Sequence, residues 1–235
     1  MDFGRRTKSG VAELPTDFQS RLLEGLSASE LNAIVGVARQ RRLSINQVLQ
    51  HEGEPASNFS LVITGLAGFY KITPKGRKLF LRWIAPGEVF GLTALQRDIQ
   101  PCLTTVHGLQ AGSLLVWERG TMRALVEQVP RLRENVFAIT AEYFASILDV
   151  VVVRASMAAH QRLALMLIES ARQIGSREKN GLQIAVTNEQ MADMADVSHF
   201  TVSRHLSDWQ RHGILTKRRG RILLQNLEAL VDLLS

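Results

Sequence analysis

The chain has 235 residues, 46% of them hydrophobic and 21% charged, enough to bury one large core or two modest ones, and two domains is the better expectation. A formal net charge of +6 favours a polyanionic partner without identifying one. A single cysteine, Cys102, excludes an internal disulfide and a four-thiolate iron–sulfur cluster, and no run approaches roughly 18 uninterrupted apolar residues.

The opening segment, MDFGRRTKSGVAELPTDF, has basic residues with no apolar run behind them, unlike a secretory leader, so a soluble cytoplasmic protein with no membrane segment is expected. A helical lead-in follows within residues 14–40: Leu31, Ile34, Val35 and Ala38 recur at helical spacing, and Ser27 can cap ahead of Glu30. From Arg42 to about Arg119 the texture changes to β-type runs, LVIT, GFYKIT, KLFLRWI and SLLVW. Gly53, Gly65, Gly68, Gly76, Pro86-Gly87, Gly91, Gly108 and Gly112 punctuate them. Turns at such intervals predict an antiparallel sandwich or barrel. TPKGRK reads as a hairpin tip, with Pro74 setting φ and Gly76 accepting a positive φ.

Between Gly120 and Gly175 there is no glycine, and a long helix is expected. Val136, Thr140, Tyr143, Ile147, Val150, Arg154 and Met157 step alternately by four and three, a heptad seam. Phe137, Phe144, Leu148 and Val151 form a second stripe beside it. One reading is the wide buried face of a core helix. The other packs one stripe on the barrel and pairs the other with a second copy, which makes Val136, Thr140, Tyr143, Ile147, Val150 and Arg154 the expected dimer interface. A further amphipathic helix runs from His160 to Ile174, and GSREKNG reads as a polar loop joining two compact units.

Thr187-Asn-Glu-Gln190 fits a capping box, so a helix should start there, with Met191, Met194 and Ala195 on its inner face. Asp196 stands where a sharp turn needs a residue that tolerates left-handed φ. Ser198 can then cap a second helix whose buried side is Val202, Leu206 and Trp209. His199, Phe200, Ser203, Arg204 and Ser207 must point outward, as a helix–turn–helix requires of residues that meet base edges in the major groove. From His199 to Arg221 there are six Lys or Arg against one acid, Asp208. LTKRRGRILL reads as a β-hairpin wing with Gly220 at or near its tip, whose Lys217, Arg218, Arg219 and Arg221 can neutralise phosphates.

These stretches resemble the Crp/Fnr family of bacterial transcription regulators from about Leu22 to Leu224. HEGEP, ITGLAGFYKITPKGRK and IAPGEVFG resemble its β-roll, and GLQIAVTNEQMADMADVSHFTVSRHLSDWQRHGIL resembles its DNA-binding domain. The resemblance implies an α+β fold in three parts. Residues 14–129 would form an antiparallel β-roll, a cyclic-nucleotide-binding-like jelly roll serving as the sensory domain. Residues 130–157 would be a long central dimerisation helix, and residues 158–235 a winged helix–turn–helix. It further implies a homodimer on a palindromic double-stranded DNA operator and a contact with RNA polymerase. The expected DNA-binding residues are Thr187, Ser198, His199, Phe200, Thr201, Ser203, Arg204, Lys217, Arg218 and Arg219. Arg204 falls at the family's base-reading arginine, whereas Phe200 departs from the acidic residue common at its position and suits a thymine methyl instead.

The resemblance places the effector pocket at Phe90, Gly91, Leu92, Cys102, Leu103, Ile147 and Leu148. Where nucleotide-binding members carry a Glu, an Arg and a Ser, this chain has Leu92, Cys102 and Leu103. Ile147 and Leu148, where the base would lie, have no hydrogen-bonding side chain. A cyclic phosphate would lose its charge-assisted bonds and keep its desolvation cost, so neither cyclic AMP nor cyclic GMP is expected. Three states stay open for the pocket: collapsed and ligand-free, filled by a small apolar molecule, or holding haem with His51, His107 or Cys102 as axial ligand. Cys102 can serve as a thiol sensor if its pKa is lowered, with Arg97 the nearby cation. A metal-dependent barrel enzyme is disfavoured, because His51 and His107 form no HxH pair and no metal-ligand cluster is evident. A basic membrane-surface helix is disfavoured because Trp209 lies on the buried stripe. Weakly specific DNA coating, with a vestigial roll, is the closer rival.

Overall fold

The computed structural model describes residues 14–74, 76 and 78–234; the basic opening segment up to residue 13, Lys75 and Arg77 of the expected hairpin tip, and Ser235 lie outside them. The chain divides into two compact units. One comprises the chain up to Phe69 with Trp83–Phe144, the other Tyr70–Arg82 with Ala145–Ser235.

The first unit begins with a 3₁₀ turn, Arg21–Leu23, and helix α1, Ala28–Gly36. The capping box expected at Ser27 forms: Ser27 Oγ accepts from the Glu30 N–H, and the Glu30 carboxylate accepts from the Ser27 N–H at 2.8 Å. The strands are β1 (Arg39–Leu43), β2 (Val48–Gln50), β3 (Asn58–Ile72), β4 (Lys78–Ile84), β5 (Val89–Phe90) and β6 (Thr105–Glu118). They pair in the order β1-β6-β3-β4, with β2 added to β6 and β5 to β3. Helix α2 (Arg119–Gln128) follows.

LVIT and GFYKIT are one strand, not two. Gly65 lies within β3 at φ +84°, where a Cβ would come 2.8 Å from the carbonyl oxygens of Gln110 and Ala111. A Cβ on Gly112 of β6 would lie 2.0 Å from the Thr64 carbonyl. These glycines let two long strands approach closely, a use of glycine that sequence alone does not separate from a turn. Inside the roll, the ring of Phe59 packs edge-on to Trp117, and Trp117 Nε1 donates to the Ile34 carbonyl at 2.7 Å, tying α1 to the sheet.

The long helix α3 spans Pro130–Ser156 as one uninterrupted element. Its first part turns Leu132, Asn135, Ile139 and Tyr143 inward. Asn135 Nδ2 donates to the carbonyls of Leu22 and Glu24. The Tyr143 hydroxyl donates to the Val89 carbonyl at 2.6 Å and accepts from the Val89 N–H at 3.2 Å, while its ring packs edge-on to Phe69. Tyr143 is therefore committed within its own chain, a correction to the expected seam. Arg154, the seam's last polar member, likewise donates to the Phe80 carbonyl at 2.7 Å. The apolar side chains left exposed are those of the second stripe, Phe137 (78%), Phe144 (65%), Leu148 and Val151, together with Ile147 and Val152. By length and composition alone α3 is apolar enough to cross a membrane.

The second unit continues with α4 (Ala159–Ile174), β7 (Ser176–Glu178), β8 (Gly181–Ile184), α5 (Asn188–Ala195), α6 (His199–Arg211), β9 (Leu215–Arg218), β10 (Arg221–Leu224) and α7 (Leu227–Asp232). Its sheet runs β7-β8-β10-β9. GSREKNG is thus not a joining loop. Ser176 and Arg177 pair with Gln183 and Leu182, so the segment is a β-hairpin of this unit. Leu163 and Leu167 of α4, Ile184, Met191, Val202, Leu206, Trp209, Leu215, Ile222, Leu224 and Leu230 bury together as its core.

Candidate nucleic-acid interface

Local chemistry builds the α5–turn–α6 segment. Thr187 Oγ1 accepts from the Gln190 N–H at 3.1 Å, and Gln190 Oε1 accepts from the Thr187 N–H at 2.9 Å. Two of the backbone donors at the start of α5 are thereby satisfied. Asp196 ends the helix at φ 52°, in the left-handed region. Two residues later Ser198 Oγ accepts from the Thr201 N–H at 3.1 Å and starts α6. Val202, Leu206 and Trp209 are buried, which leaves Ser198, His199, Phe200 and Arg204 exposed and Thr201, Ser203 and Ser207 half-buried. Phe200 is 86% exposed, an unusual place for a phenyl ring on a domain with a well-formed core.

One positioning residue escaped the sequence reading. Arg162 of α4 forks onto the turn: Nε donates to Ala195 O and Nη2 to Asp196 O, both at 2.9 Å, while Nη1 donates to Met157 O at 3.0 Å. A guanidinium suits this task because its donors are fixed in one plane. Nothing in the local pattern of HQRLALM marks Arg162, since the two turn carbonyls it holds are 33 and 34 residues away.

The wing forms as expected, with Gly220 at φ 68° in the turn between β9 and β10. Lys217, Arg218, Arg219 and Arg221 are exposed. Arg218 is not unengaged, however: its Nη1 lies 3.0 Å from Glu178 Oε2 of β7. On α6, the His205 ring lies 6.1 Å from His160 and 5.8 Å from Trp209 by centroids. Burial, then the charge of Arg204 and the neighbouring His160, hold the His205 imidazole below its usual range, opposed by Asp208.

Within the first unit, the expected effector residues do not all border one cleft. Phe90 and Cys102 line a cleft of the roll together with Arg41, Gln50, His51, Glu54, Ser60 and neighbouring apolar side chains. Gly91 is buried at φ 88°, Leu92 is half-buried in a 3₁₀ turn, and neither borders that cleft. Leu103 is 62% exposed, and Ile147 and Leu148 are exposed on α3. Burial, followed by the charge of Glu54, pushes the Cys102 thiol above its usual range. This corrects the premise of a thiol sensor, which needs the opposite shift. The three positions where resemblance puts cyclic-nucleotide anchors thus offer a neutral thiol and two leucines, and they do not fit a cyclic phosphate.

Two parts of the chain match known domain families. Residues 161–233 match the Crp-like helix-turn-helix domain, and residues 40–129 match the cyclic nucleotide-binding domain. The transcriptional regulator LdrP of Thermus thermophilus is 26% identical over 196 residues, covering 81% of this chain and 94% of that protein. A CRP-like cAMP-activated global transcriptional regulator of Mycobacterium tuberculosis is 22% identical, covering 89% of this chain and 94% of that protein. The solved structure of FixK2 from Bradyrhizobium japonicum superposes with a TM-score of 0.73 at 23% identity, over 85% of this chain and 98% of that one.

Proposed function

Since the chain belongs to the Crp/Fnr family of transcription regulators, we propose that it is a sequence-specific DNA-binding regulator acting as a homodimer on a palindromic operator. The observation that carries this reading is the exposed N-terminal face of α6. Ser198 caps it, the Asp196 turn aims it, and it offers Phe200, Ser203 and Arg204 beside a basic wing. Arg204 donates two hydrogen bonds to O6 and N7 of a guanine, Phe200 meets a thymine methyl, and Thr187, Ser198, His199, Thr201 and the wing cations engage phosphates or neighbouring edges.

The dimer forms through α3. Its partner-facing stripe is Phe137, Phe144, Ile147, Leu148, Val151 and Val152, exposed apolar side chains that a second copy would remove from water. Pairing also accounts for the apolarity of this helix without a bilayer, because Asn135 and Tyr143 on its other side are bonded to the helix's own chain. In this reading residues 14–129 are the sensory roll, 130–157 the dimerisation helix and 158–235 the DNA-binding domain. The protein works in the cytoplasm and contacts RNA polymerase, as the family relationship implies. It does not respond to cyclic AMP; calorimetry should give no saturable micromolar binding of cyclic AMP or cyclic GMP, and such binding would overturn that part of the reading.

Selection from a random double-stranded library tests the proposal. The wild-type chain should enrich a palindrome with half-site centres about one helical turn apart. Phe144→Glu should halve the light-scattering mass and abolish tight operator binding. Recovery of no enriched motif by the wild type would reject sequence-specific regulation, and an unchanged mass for the variant would reject the α3 stripe.

A further inference from the structure

Lys217 belongs to the first wing strand, yet its ammonium is not at the wing tip. Lys217 Nζ donates to Ser207 Oγ of α6 at 2.8 Å, and Ser207 Oγ donates to the Ser203 carbonyl at 2.8 Å. The Lys217 backbone N–H donates to Gln210 Oε1 at 2.9 Å. Ser203, Ser207 and Gln210 follow at i, i+4 and i+7, one face of the helix. The first wing strand is therefore stapled along the recognition helix, and its lysine is carried onto that helix's surface.

We infer that Lys217 is a base-reading residue, presented to the major groove by Ser207, and not a phosphate clamp. This rests on the DNA-reading role proposed for α6. The helix rises about 1.5 Å per residue, so Ser207 lies about 4.5 Å along the axis from Arg204. That is a little over one base-pair step of about 3.4 Å. An ammonium has three donors and Ser207 occupies one, which leaves two for the O6 and N7 acceptors of a guanine. Ser207 is the positioning residue: without its hydroxyl, the four-carbon stem of Lys217 is no longer held on α6 and swings to the nearest phosphate. The helix carries no cation of its own at position 207, so the wing supplies it.

The test is library selection with the full-length chain, run in parallel on wild type, Lys217→Ala, Ser207→Ala and Arg204→Ala. Lys217→Ala should lose about five- to tenfold discrimination at one base pair adjacent to the pair read by Arg204, with the other positions intact. Ser207→Ala keeps every charge; it should flatten the same pair, while binding to random-sequence DNA tightens slightly and its salt slope steepens by up to about 1 as the released ammonium meets a phosphate. A phosphate clamp gives a different result: the Lys217→Ala motif unchanged at every position, weaker binding to all sequences, and a salt slope reduced by about 1. That result overturns the inference. So does a Ser207→Ala motif identical to wild type. Failure of the wild type to select any motif is separately readable, since it refutes the DNA-reading role itself.

Discussion

The helix–turn–helix and the β-roll solve the same problem, holding polar groups in a fixed place, over different distances along the chain. In the first, the caps that start and shape the helices are local: Thr187 with Gln190, Ser198 with Thr201 and Ser207 with Ser203 all span three or four residues, and the Arg162 fork onto the turn is the remote addition. In the roll they are remote: Trp117 to Ile34 spans 83 residues, Tyr143 to Val89 spans 54, and Asn135 to Leu22 spans 113. A surface assembled from local caps keeps its geometry when neighbouring sequence drifts. A cleft assembled from distant strands draws its lining from far apart in the chain, as with Arg41, Phe90 and Cys102.

This contrast can be broken most forcibly at Trp117. Trp117→Ala should destabilise the roll by about 3–5 kcal/mol, because it opens a large void and removes the bond to Ile34. Calorimetry should show one transition falling and that of the C-terminal unit staying; an equal fall in both would mean that the two units do not unfold separately. Next is Arg162→Ala, which removes the guanidinium from three carbonyls and should cost the C-terminal unit about 2–3 kcal/mol in chemical denaturation. Arg162→Lys should not restore it, since one ammonium cannot replace a planar fork; full rescue by lysine would show that charge alone matters there. A smaller gain is expected from Glu178→Gln. Releasing Arg218 from its ion pair should tighten binding to all DNA sequences a few-fold and steepen the salt slope by up to about 1 in anisotropy titrations. No change in slope would mean that Arg218 never reaches a phosphate.

The smallest effect is a pH dependence. His205 is held below its usual imidazole range, so the folded state binds its proton less readily than the unfolded chain. Its contribution to stability is complete above about pH 6.5 and is lost as pH falls below that value. His205→Gln should lose less stability between pH 7 and pH 5 than wild type, read from denaturation midpoints. Parallel pH profiles would place the acid sensitivity elsewhere.

How much could be read from sequence follows the same division. Caps at Ser27, Thr187 and Ser198, the left-handed Asp196 and the wing at Gly220 are all found where residue type and spacing put them, because each depends on a few adjacent residues. Gly65 and Gly112 misled because glycine serves both turns and close strand contacts, and only the partner strand distinguishes them. On α3 the heptad pattern contained two stripes, and neither is the inward face: Leu132, Asn135, Ile139 and Tyr143 turn inward, and of these only Tyr143 belongs to a stripe, whereas Thr140 and Ile147 of its seam are exposed. Arg162 and the Lys217–Ser207 staple join elements separated in sequence, so no local pattern could have disclosed them. Helix α7 was missed for another reason: at six residues it is too short to show a period, although its Asn226 cap is a recognisable start.

The central claim is that Arg204 reads a base, and a double-mutant cycle tests it most directly. Wild type and Arg204→Ala would be titrated on the selected operator and on the same operator with the G·C pair assigned to Arg204 replaced by A·T. If Arg204 reads that pair, each single change costs about 1–3 kcal/mol and the double change costs little more than either, leaving a coupling of similar size. If the two changes simply add, Arg204 does not recognise that base pair and the proposed reading face of α6 is wrong.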